Sequence, residues 1–67
     1  MNENETLDFW KWVIFYISDP NQREGQAHMN ALSRVSPELY EEITGSVADC
    51  FYRDDRIPAF LEYLDLA

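Results

Sequence analysis

The sequence has little cysteine, histidine or glycine, and each shortage argues against a class of protein. The single cysteine, Cys50, cannot form a framework of intramolecular disulfides. Together with the single histidine, His28, it offers two side chains of the kind that bind zinc, where a site needs three or four ligands. Two glycines leave no glycine-rich loop for phosphate. We therefore expect no disulfide framework, no metal and no cofactor.

Positive charge is also scarce. Thirteen Asp and Glu residues against five Lys and Arg give a formal net charge of −8, which would repel a nucleic-acid backbone or an anionic membrane. The imbalance lies mainly in residues 36–67, which hold eight acids and two bases. Because an acidic surface attracts basic proteins, the predicted partner is a basic, nucleic-acid-binding protein, with no direct contact to nucleic acid or membrane.

A long hydrophobic run is missing as well. The main apolar run, residues 9–17, covers nine residues and contains Lys11, whereas a membrane-spanning helix needs about 20 apolar residues. Acids lie among the first residues, where a secretory signal would carry Lys or Arg. The unpaired Cys50 fits a reducing compartment. These features predict a cytoplasmic protein.

What the sequence does contain is the composition of a folded protein, with 46% hydrophobic and 15% aromatic residues. Its length predicts one small acidic domain over residues 1–67, with residues 1–5 flexible. A domain of this size is marginally stable, so a partner or self-association would help it. The apolar spacing predicts an all-α fold, a compact bundle of about four short helices.

Capping residues predict the first two helices. The first is expected over Leu7–Ser18, with Thr6 as its N-cap. The second is expected to begin at Asp19-Pro20, because aspartate caps helices and proline suits the first helical position. Gly25 is unfavourable inside a helix. It leaves open the alternative that residues 20–25 form a separate turn.

Proline starts and apolar stripes predict the last two helices. Ser36-Pro37 opens the third, whose apolar stripe continues to Phe51, and the fourth is expected from about Arg56 to Leu66. The residues expected to matter most for the core are Trp10, Ile14, Ile43, Val47, Phe60, Leu61 and Leu64.

The first helix is apolar around nearly its whole circumference, where a surface helix should have one apolar stripe. One interpretation is a central helix covered by the other three. The other is an exposed aromatic patch of Trp12, Phe15 and Tyr16 that contacts a partner or a second copy, because aromatic residues are enriched at interfaces. Residues 12–17 also favour a strand, but the chain offers no second strand to pair with it.

Acidic residues dominate the third helix. Helical spacing places Glu38, Glu42 and Asp49 together, opposite the apolar stripe, and residues 36–52 contain four acids and no base. Unbalanced like charge destabilises a compact fold, which favours a functional reason for it. No catalytic residue is predicted, because these carboxylates face water, where their pKa values are not tuned for catalysis. The predicted partner-binding residues are Glu38, Glu41, Glu42, Asp49, Asp54 and Asp55.

In size, acidity and lack of catalytic residues, the chain resembles the small inhibitors that phages and mobile elements encode against host defence or transcription machinery, including anti-CRISPR and DNA-mimic proteins. The resemblance is one of composition over the whole chain and assigns no role to any residue. It implies a non-catalytic inhibitor or adaptor whose acidic helical face docks on the basic surface of a larger protein. The alternative is a homo-oligomer, such as a homodimer, assembled through the aromatic first helix.

Overall fold

The computed structural model describes residues 1–66, in which four α-helices form the fold. They are α1 (Glu3–Ile17), α2 (Glu24–Val35), α3 (Pro37–Ile43) and α4 (Ile57–Tyr63), and one turn of 3-10 helix (Asp54–Arg56) precedes α4. Residues 12–17 belong to α1, and no strand occurs in the described part of the chain. The prediction of an all-α fold of about four helices is confirmed.

α1 begins four residues before the predicted start. Its N-cap is Asn2, whose side chain accepts a hydrogen bond from the Glu5 N–H at 2.8 Å, while the Glu5 carboxylate accepts one from the Asn2 N–H at 3.1 Å. This capping box satisfies N–H groups that a helix start leaves without partners. The predicted cap at Thr6 is therefore wrong. Residues 3–5, part of the segment predicted to be flexible, lie in the first turn of α1.

α2 begins at Glu24 and not at Pro20, so the predicted start of the second helix is wrong. Asp19 caps no helix, because its Oδ1 accepts a hydrogen bond from the N–H of Asn21 at 2.9 Å and closes a turn. This local bond is one that aspartate often makes to the backbone two residues later. A turn separates α1 from α2, close to the alternative that the sequence left open for residues 20–25.

α3 ends at Ile43, so the predicted continuation of the third helix to Phe51 is wrong. Thr44 leaves the helical conformation with φ −55° and ψ 125°, and Gly45 follows with φ 81°. A left-handed residue after a helix is usually glycine, and it ends the helix. Val47 consequently lies in a loop with 83% of its surface exposed, and its predicted place in the core is also wrong.

α4 is shorter than its prediction as well, because it runs over Ile57–Tyr63 instead of Arg56–Leu66. Pro58 lies in its first turn, where the missing N–H removes no helical hydrogen bond. Asp65, with φ 61°, adopts the left-handed conformation shortly after the helix ends. The short α4 still carries a large aromatic side chain, Phe60, into the core.

All four helices and the loop after α3 contribute to one core. The largest fully buried side chains are Phe9, Met29, Leu32, Ile43, Cys50 and Phe60. α1 packs most extensively against α2. The ring centroids of Phe9 and Phe60 lie 6.0 Å apart, so an aromatic contact joins α1 to α4.

The core-facing side of α1 differs from the prediction by one residue along the helix. Trp10 is half-buried and Ile14 is 65% exposed, whereas their neighbours Phe9 and Val13 are buried. One residue corresponds to a rotation of about 100°, and a helix that is apolar on all sides does not indicate which side is the core. Of the other core predictions, Ile43, Phe60 and Leu64 are confirmed and Leu61 is half-buried.

Candidate protein-binding surfaces

Asp49 stabilises the loop after α3 and does not belong to a helical acidic ridge. Its two carboxylate oxygens accept hydrogen bonds from the N–H of Gly45 at 2.8 Å and of Phe51 at 3.0 Å. Hydrogen bonds to a charged acceptor are stronger than those between neutral groups. The prediction that Glu38, Glu42 and Asp49 lie on one face of one helix is wrong, because α3 ends before Asp49.

Asp54 and Asp55 also have partners inside the chain. The Oδ1 of Asp54 accepts a hydrogen bond at 3.0 Å from the N–H of Gly25, the second residue of α2, whose own N-cap Arg23 makes no side-chain cap. Asp54 therefore caps α2 from a distant part of the sequence. Asp55 forms an ion pair with Arg53 at 2.8 Å, and that hydrogen bonding lowers the pKa of Asp55.

Asp54→Ala is expected to lower the free energy of unfolding by about 0.5–2 kcal/mol, the usual effect of removing a helix cap. Urea denaturation followed by circular dichroism measures the change. The matched control is Glu41→Ala on α3, an exposed acid that should change stability by less than about 0.5 kcal/mol. Equal effects of the two substitutions would contradict a capping role for Asp54.

Two acids of α3 remain available to a partner. Glu38 and Glu41 are exposed, and neither side chain makes a hydrogen bond with another residue in the described part of the chain. Glu42 differs, because its carboxylate accepts a hydrogen bond from the hydroxyl of Tyr63, which raises the pKa of that tyrosine. Of the six acids predicted to bind a partner, only Glu38 and Glu41 thus have side chains that make no hydrogen bond or ion pair within the described residues.

α1 presents a second apolar side to the solvent. Leu7 is 60% exposed, Ile14 65% and Phe15 62%. These residues are spaced by seven and eight positions, so they lie along one side of the helix, and Lys11 lies between them. We call this side, formed by Leu7, Lys11, Ile14 and Phe15, the outer face of α1. Clustered exposed apolar side chains are typical of contact surfaces.

An aromatic cluster of Trp12, Phe15 and Tyr16 adjoins the outer face, and it unites the three residues predicted as a second interface. The Phe15 ring centroid lies 5.4 Å from that of Trp12 and 5.2 Å from that of Tyr16. The Arg34 guanidinium carbon lies 4.6 Å from the Trp12 ring centroid, a cation–π contact. The Arg34 Nε also donates a hydrogen bond to the Tyr16 hydroxyl at 2.8 Å. These contacts fix the orientation of the rings.

A surface groove of about 470 Å³ lies between α1 and α2, lined by Lys11, Trp12, Phe15 and Arg34. We call it the Trp12 groove. Its volume falls within the range of about 300–1,000 Å³ that is usual for ligand sites. Its walls are aromatic and two of its four lining residues are cations. Sequence reasoning missed Lys11 and Arg34 as site residues, although Lys11 is the one charge inside the apolar run 9–17.

The two cations of the groove have no carboxylate partner within residues 1–66, where the single ion pair is that of Arg53 with Asp55. Arg23 and Arg56 instead donate hydrogen bonds to backbone carbonyls of other segments. The chain carries a net charge of −8 and has five Lys and Arg side chains. Two of the five bind neither an acid nor a backbone carbonyl of the described residues, and these two, Lys11 and Arg34, line the Trp12 groove. They can donate hydrogen bonds to an anionic group placed there.

His28 is a core residue with 7% of its surface exposed. Its Nδ1 hydrogen-bonds the backbone carbonyl of Glu24 at 2.7 Å, so Nδ1 carries the proton in this bond. Aromatic rings surround it, with centroids between 5.9 and 6.2 Å away. Among the residues that the structure describes, no three His, Cys, Asp or Glu side chains are grouped so that they could hold a metal ion.

The thiol of Cys50 is expected to react slowly in the folded protein. Burial raises its pKa from 9.0 to about 12, and its Sγ donates a hydrogen bond to the Gly25 carbonyl at 3.4 Å. A shift of this size reduces the reactive thiolate at neutral pH on the order of a thousandfold. An aromatic disulfide reagent should therefore label the native protein far more slowly than the protein unfolded in guanidinium. Equal rates would show that the thiol is exposed.

Comparison of the chain with protein-family models, with curated proteins and with solved structures finds no match. Within residues 1–66, no helix combines the length and the apolar character that crossing a membrane requires. Two surfaces of the described residues remain available to a partner. One is the outer face of α1 with the Trp12 groove, and the other is formed by the exposed acids of α3, Glu38 and Glu41.

Proposed function

We propose that the protein is a non-catalytic, cytoplasmic inhibitor or adaptor that binds another protein through the outer face of α1 and the adjoining Trp12 groove. The observation that supports this most strongly is the exposure of Leu7, Ile14 and Phe15 on a helix whose other side already forms the core. Removing such a side chain from water contributes about 1.5–3 kcal/mol when burial is complete. A protein segment lying along the outer face would recover part of that free energy.

The aromatic cluster supports the same surface. Trp, Tyr and Arg are the residues that most often carry binding energy at protein interfaces, and Trp12, Tyr16 and Arg34 contact one another here. These contacts already fix the three side chains, so they would lose little further conformational freedom when a partner binds. A preorganised aromatic surface of this kind favours a binding role over a purely structural one.

Site-specific photo-crosslinking tests the proposal. Phe15→p-benzoylphenylalanine, irradiated in an extract of the cells that produce the protein, is expected to give one discrete product with another protein. The control is the same substitution at Val47, which is 83% exposed in the loop after α3 and should give no such product. An equal yield from both positions would contradict the proposal. A product at twice the mass from the purified protein alone would show that a second copy covers the outer face instead.

Docking of the α3 acids on a basic surface is the second candidate. Its supporting observation is that Glu38 and Glu41 are exposed and make no side-chain hydrogen bond in the described part of the chain. This is the mode of an acidic inhibitor that occupies a nucleic-acid-binding site. A crosslinked product with Glu41→p-benzoylphenylalanine, and none from position 15, would favour it. Such binding should also weaken steadily with added salt, because exposed charges are screened beyond about 10 Å at 0.1 M.

A further inference from the structure

We infer that the Trp12 groove binds an acidic segment of the partner protein, in which carboxylates flank an apolar or aromatic anchor residue. The inference rests on the proposed function and specifies the chemistry of the partner. Its basis is the combination of aromatic walls with two cations that have no acid partner within residues 1–66. Each of these features restricts what can occupy the groove.

The aromatic walls require an apolar group in the occupant. Trp12 is half-buried and Phe15 is 62% exposed, and their rings meet edge to face at 5.4 Å. Covering these rings with polar groups alone would leave those groups with too few hydrogen bonds. An apolar or aromatic side chain fits the groove without that penalty, because it removes its own surface and that of the rings from water together.

The cations require carboxylates beside that apolar group. A partner that covered Lys11 and Arg34 with apolar surface alone would bury two charges without compensation, which is strongly unfavourable. The closest acid before Lys11 in the sequence, Asp8, forms no ion pair with it. Compensation must therefore come from the occupant. A segment that brings carboxylates satisfies both cations while its apolar anchor covers the rings.

Arg34 is well placed for a carboxylate. Its Nε donates to the Tyr16 hydroxyl at 2.8 Å and its guanidinium lies against the Trp12 ring. A guanidinium has five N–H donors, so its terminal nitrogens can still donate to a carboxylate, often through two parallel hydrogen bonds. Because Tyr16 and Trp12 hold the guanidinium in one orientation, such a bond forms with little further loss of side-chain freedom.

A short acidic segment fits this site better than a polyanion. The chain as a whole carries a net charge of −8, which repels extended anions such as nucleic acids. The acidic excess lies mainly in residues 36–67, whereas the groove belongs to residues 1–35, where three bases against five acids leave a net charge of −2. Because Lys11 and Arg34 line the groove itself, they make the closest charge contacts with an occupant. A few carboxylates therefore suffice and many would be repelled.

Fluorescence anisotropy with two synthetic peptides tests this inference on the full chain. The first is a fluorescein-labelled helical peptide of about 12 residues with a Phe and a Leu one turn apart and flanking Glu residues. The second carries Gln in place of every Glu, so its shape and apolar anchors are unchanged. The acidic peptide is expected to bind at least about tenfold more tightly. Equal affinity for the two peptides would overturn the inference. It would not overturn the proposed function, which the crosslink at position 15 tests separately.

A pair of charge-matched variants locates the effect. Lys11→Gln/Arg34→Gln should abolish the preference for the acidic peptide. Arg53→Gln/Val47→Glu lowers the net charge by the same two units outside the groove and should keep it. Loss of the preference in both variants would overturn the inference, because only overall charge would then matter. Circular dichroism verifies that both are folded.

If the groove variant fails to fold, nuclear magnetic resonance on the wild-type protein replaces it. The acidic peptide is then expected to shift the side-chain Nε–H signal of Arg34 and the indole N–H signal of Trp12. Shifts confined to α3 and α4 would overturn the inference. A peptide-independent dimer held together at the same face, seen by sedimentation, would overturn it too, since a second copy would then fill the groove.

Discussion

Phe9→Ala is expected to lower the free energy of unfolding by about 3–5 kcal/mol, whereas Phe15→Ala, which removes only surface aromatic contacts, should lower it by about 1 kcal/mol or less. Both substitutions remove the same ring from the same helix. Phe9 is fully buried and contacts Phe60 across the core, while Phe15 is 62% exposed. A domain of this size has only a few kcal/mol of stability in total. Phe9→Ala should therefore be largely unfolded at room temperature.

Chemical denaturation of the two variants, followed by circular dichroism, measures both changes. The pair is informative because the sequence assigned a different side of α1 to the core. If Phe15→Ala proved the more damaging substitution, α1 would have to be rotated relative to its position here. The outer face would then be part of the core, and the proposed binding surface would not exist.

Gly25→Ala is expected to destabilise the protein by about 1–3 kcal/mol, the usual effect of overfilling a packed site. On helix propensity alone, alanine should instead stabilise α2 by about 0.8–1.0 kcal/mol. We expect the substitution to destabilise the protein instead, because a Cβ at position 25 would lie 2.0 Å from the backbone carbonyl oxygen of Cys50 and 2.9 Å from Oδ1 of Asp54. A backbone atom cannot move aside as a flexible side chain can, so α2 would have to separate from this loop.

Gly45 supplies the comparison for this substitution. A Cβ there would meet nothing within 4 Å, but its φ of 81° is unfavourable for most residues. Gly45→Asn should cost little, because asparagine tolerates the left-handed conformation. If Gly25→Ala raised the melting temperature, α2 could not pack against residues 50–54 as described. The same result would contradict the capping role of Asp54.

Local signals in the sequence predicted the parts of the fold that depend on neighbouring residues. The all-α class and the start of α3 at Ser36-Pro37 follow from capping and proline geometry, and the Ser36 hydroxyl does accept the N–H of Leu39 at 3.4 Å. The start of α1 could also have been predicted from the sequence, because Asn2 and Glu5 have the spacing of a capping box. The end of α3 was predicted too late because an apolar stripe was followed past Gly45, a glycine that can end a helix.

The candidate site was predictable only in part, because one of its residues, Arg34, comes from a distant part of the sequence. The excess of aromatic residues on the first helix indicated Trp12, Phe15 and Tyr16, which the structure brings together. Arg34 joins them only through the packing of α2 on α1, and no sequence spacing indicates that contact. The engagement of Asp54 could not be predicted for the same reason, since it caps α2 through Gly25, 29 residues away. The predicted ridge of Glu38, Glu42 and Asp49 fails for a local reason, because α3 ends before Asp49.

The claim that the outer face of α1 contacts the partner is tested most directly by titration calorimetry with the protein that crosslinks at position 15. Phe15→Ala leaves the fold intact in this account and is compared with Glu38→Gln/Glu41→Gln, which removes the free acids of α3. We expect Phe15→Ala to weaken binding by at least about tenfold and the acid variant to bind within about threefold of the wild type. Unchanged binding of Phe15→Ala, with a large loss in the acid variant, would contradict the claim and transfer the interface to α3.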